Sequence, residues 1–118
     1  LFPSYTYWRY YVFGGTLRKH TDRPSCEVSV TSCIKKYDNW PISVEGTSFE
    51  LEEGDAVLYA GCVQKHERPG MYKGEGMAQA FFHYVDQNGP FKHHAYDNYF
   101  KENNTGHSEE DVLILKSL

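Results

Sequence analysis

Between residues 5 and 85 the chain alternates runs of aromatic and β-branched residues with turn residues, the pattern of an all-β domain. Residues 5–13, dense in Tyr, Trp and Val, predict a first strand, broken at Gly14-Gly15, where glycine reaches positive φ at little cost. Residues 16–22 predict a second strand, ended by Arg23-Pro24-Ser25. Residues 26–34 alternate cleanly, with Val28, Val30, Ser32 and Ile34 on one face and Glu27, Ser29, Thr31 and Cys33 on the other. The small, polar second face suits an interior that holds a ligand. After a polar turn at 35–39, residues 40–44 predict a short strand with Pro41 at its start or on a sheet edge. Residues 48–51 carry Phe49 and Leu51 on one face, and residues 52–55 form a turn in which Gly54 needs positive φ. Residues 56–59 predict a buried strand, and the next strand carries His66. A glycine-bearing loop over 70–76 is expected to be mobile, and residues 77–85 predict the last strand. That makes about eight strands joined by short turns.

After Pro90 the pattern changes. Residues 91–104 are polar and aromatic, and His93-His94 are neighbours. Adjacent side chains diverge in any regular element, so this pair is expected at the surface rather than on a metal. Ser108-Glu109-Glu110-Asp111 reads as a capping box opening a short helix to residue 118, while residues 112–115 fit equally well a strand docking on the domain's edge. The expected division is a domain over 1–90 and a C-terminal extension over 91–118.

Composition narrows the class. A chain of 118 residues is one domain with one core. A net charge of −4 and a pI near 5.8 argue against a general nucleic-acid binder, which needs a basic surface to neutralise phosphates. No apolar run approaches the roughly 20 residues of a membrane span, and no signal-peptide pattern opens the sequence. It begins at Leu1 rather than Met, as a piece of a longer protein would. The three cysteines are odd in number and form no C-x-x-C pair. Cys26 and Cys33, seven apart on one predicted strand, would point to opposite faces, so reduced thiols and a cytoplasmic protein are expected. Gly70, Gly74 and Gly76 lack the strand–glycine–helix setting of a phosphate loop.

The chemistry concentrates at His20-Thr21-Asp22 and His66. In a strand, residues i and i+2 share a face, so His20 and Asp22 can grip one ion while Thr21 points away. His66 can complete the set from a neighbouring strand. Two histidines and one carboxylate leave half of an iron's coordination sphere open.

Gly15-Thr16-Leu17-Arg18-Lys19-His20-Thr21-Asp22, Cys26-Glu27-Val28-Ser29-Val30, Glu53-Gly54-Asp55-Ala56-Val57-Leu58-Tyr59, His66 and Ala80-Phe81-Phe82-His83-Tyr84-Val85 follow one another in an order and spacing that resembles the Fe(II)/2-oxoglutarate-dependent dioxygenases, nearest to their prolyl 4-hydroxylase-like branch. The resemblance spans about two-thirds of the chain, from Tyr10 to Pro90. It implies a double-stranded β-helix, a jelly-roll barrel with the metal at its mouth. It also implies Fe(II) on His20, Asp22 and His66, 2-oxoglutarate as co-substrate, dioxygen, and ascorbate as an accessory. Because the carboxylate ligand Asp22 is present, the implied reaction is hydroxylation rather than halogenation. The substrate is expected to be an amino-acid side chain, a peptide or a small metabolite. The helices that usually precede such a barrel are absent from this stretch.

One departure matters. The family's cation for the far carboxylate of 2-oxoglutarate usually lies about ten positions past the distal histidine, where this chain has Gly76 and Met77. Arg68, two residues beyond His66 on the same strand, is expected to face inward and take that role, with Lys73 as the other cation and Ser29, Thr31 and Tyr10 adding hydroxyl donors. The loop at 70–76 is a candidate lid. Tyr7, Trp8, Trp40 and Tyr72 could line a substrate groove, although aromatics on strands more often form core. The rival readings are a jelly-roll binding module without catalysis and a cupin-type metalloenzyme that does not use 2-oxoglutarate.

Overall fold

A computed structural model describes residues 1–96 together with Ile114, Lys116 and Ser117. Among them are eight strands: β1 (Phe2–Tyr11), β2 (Leu17–His20), β3 (Val28–Lys36), β4 (Ile42–Val44), β5 (Thr47–Phe49), β6 (Ala56–Tyr59), β7 (His66–Arg68) and β8 (Met77–Val85). They form two antiparallel four-stranded sheets, ordered β1-β8-β3-β6 and β2-β7-β4-β5. The all-β class is the one expected from the alternation, and the jelly roll is the fold the family resemblance implied.

The period of two decides what lies between the sheets. On β8, Met77, Gln79, Phe81, His83 and Val85 are buried and the residues between them are not. On β3 the inward face is Ser29, Thr31 and Cys33, the small polar face, which leaves room that a Val/Ile face would fill. Three apolar clusters close the molecule around that room. Tyr11, Trp40, Tyr72 and Met77 form one, and Ile42, Val44, Val57 and Tyr59 a second. Cys62, Val85, Phe91 and Ala95 seal a third. Gly54 has φ of 93°, the turn conformation its position requires.

Several expectations change. The first strand begins at Phe2, not residue 5, because β8 is long enough to pair it from Val85 back to Met77. The strand over 56–59 is covered on one face only, so Leu58 is 68% exposed between buried Val57 and Tyr59. Cys26 lies in a 3-10 turn, Pro24–Cys26, ahead of β3, so strand parity does not relate it to Cys33. All three thiols are nevertheless free and buried. The loop at 70–76 is not a free lid, because Tyr72 is fully buried. Tyr72 N–H donates to Gly15 O and its carbonyl accepts from Gly14 N–H, while its hydroxyl donates to Gly76 O at 2.6 Å.

Beyond β8, a 3-10 turn over Lys92–His94 folds back on the barrel, where Tyr96 N–H donates to Pro3 O. His94 is therefore fully buried rather than at the surface, while His93 stays half-exposed. Ile114, Lys116 and Ser117 are helical, and Ile114 packs on the Cys62–Val85–Phe91–Ala95 cluster. The capping-box residues 108–111 lie outside the described residues. No helix among the described residues is long and apolar enough to cross a membrane.

Candidate metal centre

An irregularity in β2 builds the site. Leu17 pairs with Arg68 and His20 with His66, so three steps along β2 match two along β7. That extra residue is a β-bulge. Without it His20 would sit opposite Lys65, on the wrong face; with it the two imidazoles lie directly across from one another. Their ring centroids are 4.4 Å apart. Asp22 lies just past the end of β2, not within a strand, and its N–H donates to Gly61 O at 2.9 Å. Gly61 lets the backbone pass this close. A Cβ there would stand 2.5 Å from Ser29 Oγ, 2.7 Å from Cys26 O and 3.2 Å from Asp22 Oδ2.

His20 Nε2 is 3.2 Å from Asp22 Oδ1, and His66 Nε2 is 3.2 Å from Asp22 Oδ2. The three ligand atoms lie within 4.8 Å of one another. Adjacent ligands about 2.1 Å from one octahedral ion stand about 3 Å apart, so the spacing fits a divalent cation. The other face of each ring is committed to the backbone: His20 Nδ1 is 2.6 Å from Arg18 O, and His66 Nδ1 is 2.9 Å from Gln64 O. A carbonyl can only accept, so each Nδ1 donates and each Nε2 is aimed at the centre, the arrangement that orients histidine on a metal. Burial alone would raise the Asp22 carboxyl, but hydrogen bonds from His20 and His66 outweigh it and hold the group well below its ordinary range. The Asp22 hydrogen bond raises His20, against a smaller opposing effect of burial.

The triad opens into a cavity of about 30 Å³ that Tyr7, Arg9, Tyr59, Arg68, Phe81 and His83 help to line. Arg68 is 3% exposed, and Nη1 donates to Trp40 O at 2.6 Å. Its Nε and Nη2 are buried and meet no partner at standard hydrogen-bond geometry, although the Tyr11 hydroxyl interacts with the guanidinium. Burial lowers the pKa of Arg68, against smaller opposing effects of the nearby Tyr11.

The other expected co-substrate residues lie elsewhere. Lys73 is exposed and does not line the cavity. Tyr10 is 47% exposed, because on β1 it is Tyr7, Arg9 and Tyr11 that face the cavity and parity turns Tyr10 away. Ser29 and Thr31 do face inward, but each serves a neighbour: Ser29 Oγ is 2.9 Å from His83 Nδ1, and Thr31 Oγ1 is 3.0 Å from Tyr59 Oη. Of the four aromatics, Tyr7 lines the cavity, Trp8 is 70% exposed, and Trp40 and Tyr72 are core. Sequence reasoning missed His83, whose inward position follows from the alternation of β8 but whose place in the same cavity as the triad depends on one sheet packing over the other.

No family model matches the chain, and no curated protein matches it in sequence. Solved structures do match. A cupin protein from Bacteroides fragilis superposes with a TM-score of 0.53 at 12% identity, over 70% of this chain and 66% of that one. The cupin domain of an XRE-family transcriptional regulator from Enterobacter cloacae superposes with a TM-score of 0.52 at 15% identity, over 69% of this chain and 81% of that one. At such identities the likeness is one of fold: the chain has the cupin-type jelly roll, with a His-Asp-His cluster of metal-binding spacing inside it.

Proposed function

We propose that the chain is a mononuclear metalloenzyme, an Fe(II)- and 2-oxoglutarate-dependent dioxygenase that hydroxylates a small molecule or peptide. The observation that carries this reading is the pairing, within one cavity, of a three-ligand cluster with a buried arginine whose Nε and Nη2 lack partners. Those two nitrogens form the side edge of the guanidinium, whose parallel N–H bonds match a carboxylate. A metal alone does not call for a cation beside it; a chelating dicarboxylate calls for both.

His20, Asp22 and His66 would hold the ion, and the backbone carbonyls of Arg18 and Gln64 keep the rings oriented. When bound, ferrous iron with 2-oxoglutarate supplies dioxygen-driven oxidation of a C–H bond, with succinate and carbon dioxide as co-products. Asp22 balances part of the ion's charge. Arg68 would anchor the far carboxylate, and Tyr7, Tyr59 and Phe81 wall the centre from bulk water. His20 and Asp22 are the partly exposed ligands and His66 is buried, so the His20–Asp22 side is the one open to entering ligands.

A second reading rests on cavity size. About 30 Å³ is room for about two water-sized groups, and 2-oxoglutarate would have to widen it. That favours a cupin-type metal site without the co-substrate. Anaerobic reconstitution with Fe(II), then 2-oxoglutarate and air, separates the two. Succinate formed in proportion to iron supports the dioxygenase, and a chain that binds iron yet forms none is the cupin-type alternative.

A further inference from the structure

His83 sits outside the three-ligand cluster but lines the same cavity. It projects from β8 between two neighbours, opposite Tyr5 on β1 and opposite Ser29 on β3. Its side chain is 3% exposed, and the Tyr5 ring lies 4.6 Å away, centroid to centroid. Only one tautomer of His83 makes both contacts of Ser29 Oγ hydrogen bonds at once. Ser29 Oγ donates to Cys26 O at 3.1 Å and is 2.9 Å from His83 Nδ1. A hydroxyl has one hydrogen, and that hydrogen is committed to the carbonyl. Ser29 can therefore only accept from His83, so Nδ1 is the protonated nitrogen. Nε2 is then a bare lone pair, buried and without a partner.

A buried acceptor without a partner has lost its hydration with nothing in return, so it points to a donor that belongs there. The protein side chains lining the cavity give it none. The cavity between His83 and the triad has room for about two waters. We infer that His83, oriented by Ser29, is a fixed hydrogen-bond acceptor for a water on the metal, and so for the O–H or N–H of whatever molecule replaces that water. This rests on the metal reading above. It makes His83 a positioning residue and gives the cavity two ends of opposite demand: donors at Arg68 and an acceptor at His83. 2-Oxoglutarate would answer Arg68 alone, which leaves His83 for a donor on the metal's water or on the substrate.

The test is nitrogen-15 NMR of the imidazoles in the folded chain, first metal-free and then with one equivalent of Zn(II). In the metal-free protein His83 is expected as the Nδ1–H form with an unprotonated Nε2, and Ser29→Ala should weaken that preference. With Zn(II), the Nε2 signals of His20 and His66 should take the large displacement of coordination, and His83 Nε2 the smaller one of an accepted hydrogen bond. His83 protonated at Nε2, coordinated to zinc, or unmoved by it overturns the inference. If instead His20 and His66 do not respond to zinc, the metal reading itself fails, and the two failures are told apart by which signals are silent. With Mn(II) bound, the relaxation of water protons supplies a second reading: His83→Leu should change it, and His83→Gln, which can again present an acceptor, should restore it. Equal behaviour of Leu and Gln variants also counts against the role.

Discussion

His20 and His66 face each other across β2 and β7, and Asp22 places one carboxylate oxygen 3.2 Å from each Nε2. In the metal-free protein the carboxylate thus holds two rings together by hydrogen bonds that a bound ion would replace. The competition between proton and metal is written into the same four atoms.

Asp22→Asn keeps the shape and removes the charge, and its effect should depend on pH. Asp22 is lowered in the folded state, so its contribution is present above the ordinary carboxylate value of about 3.9 and is lost as pH falls through the lowered one. His20 is raised, so its contribution is present below about 6.5 and is lost as pH rises through the raised value. The metal-free wild type should therefore exceed Asp22→Asn in thermal midpoint most clearly between about pH 4 and 6.5, with the gap closing above. A gap of constant size up to pH 9 would contradict the assignment. Metal affinity should run the other way, rising from pH 6 to 8 as protons leave the ligands. By titration calorimetry it should fall at least about tenfold in Asp22→Asn.

Arg68→Leu separates the metal from the co-substrate. The variant should keep iron while the Michaelis constant for 2-oxoglutarate rises at least about tenfold, the minimum for a lost charge-assisted pair. Arg68→Lys should recover only part of it, because an ammonium cannot reproduce the side edge of a guanidinium. An unchanged constant in the leucine variant would remove Arg68 from co-substrate binding. Its partner there would then be one other than Lys73, which is exposed away from the cavity.

Gly61→Ala should damage the centre without touching a ligand. The added carbon would meet Ser29 Oγ and Cys26 O at distances no real Cβ tolerates. The backbone that holds Asp22 N–H must then shift. The expected cost is about 1–3 kcal/mol by chemical denaturation, together with weakened metal binding. Full metal affinity in a destabilised variant would show that the Gly61 contact supports the fold alone.

The two tryptophans should respond in opposite ways. Trp40 is 4% exposed, packs edge-on against Tyr11 at 5.1 Å, and its indole N–H donates to Pro69 O at 2.7 Å. Trp40→Ala should cost about 3–5 kcal/mol. Trp8, 70% exposed, should lose no more than about 0.5 kcal/mol on replacement by Ser. A Trp8 variant with unaltered stability but altered turnover would give that surface a part in substrate contact.

The sequence by itself determined the features that depend on the strand's period of two. His66 and Arg68 share the inward face of β7, Ser29, Thr31 and Cys33 share that of β3, and Gly54 makes the turn its position demands. These are local properties, set by alternation and by which residues tolerate positive φ, so they survive any arrangement of the other strands. His20, Asp22 and His66 stood out in the sequence by residue type and by the family resemblance, whereas their convergence rests on the bulge in β2 and on a carboxylate beyond its end.

Only the tertiary structure decided which of two faces each strand buries and who stands opposite whom. Tyr10 turned outward because β8 and β1 pair with Tyr7, Arg9 and Tyr11 facing the cavity. The loop at 70–76 was pinned because Tyr72 packed against Trp40 in the cluster that Tyr11 and Met77 complete. His20 met His66 through a bulge, whose extra residue no pattern of alternation reveals. His83 gained its Ser29 partner across 54 residues. Parity is carried by covalent geometry within one strand, whereas register and cover are contacts between segments distant in sequence, and their free energy exists only once both segments are folded against each other.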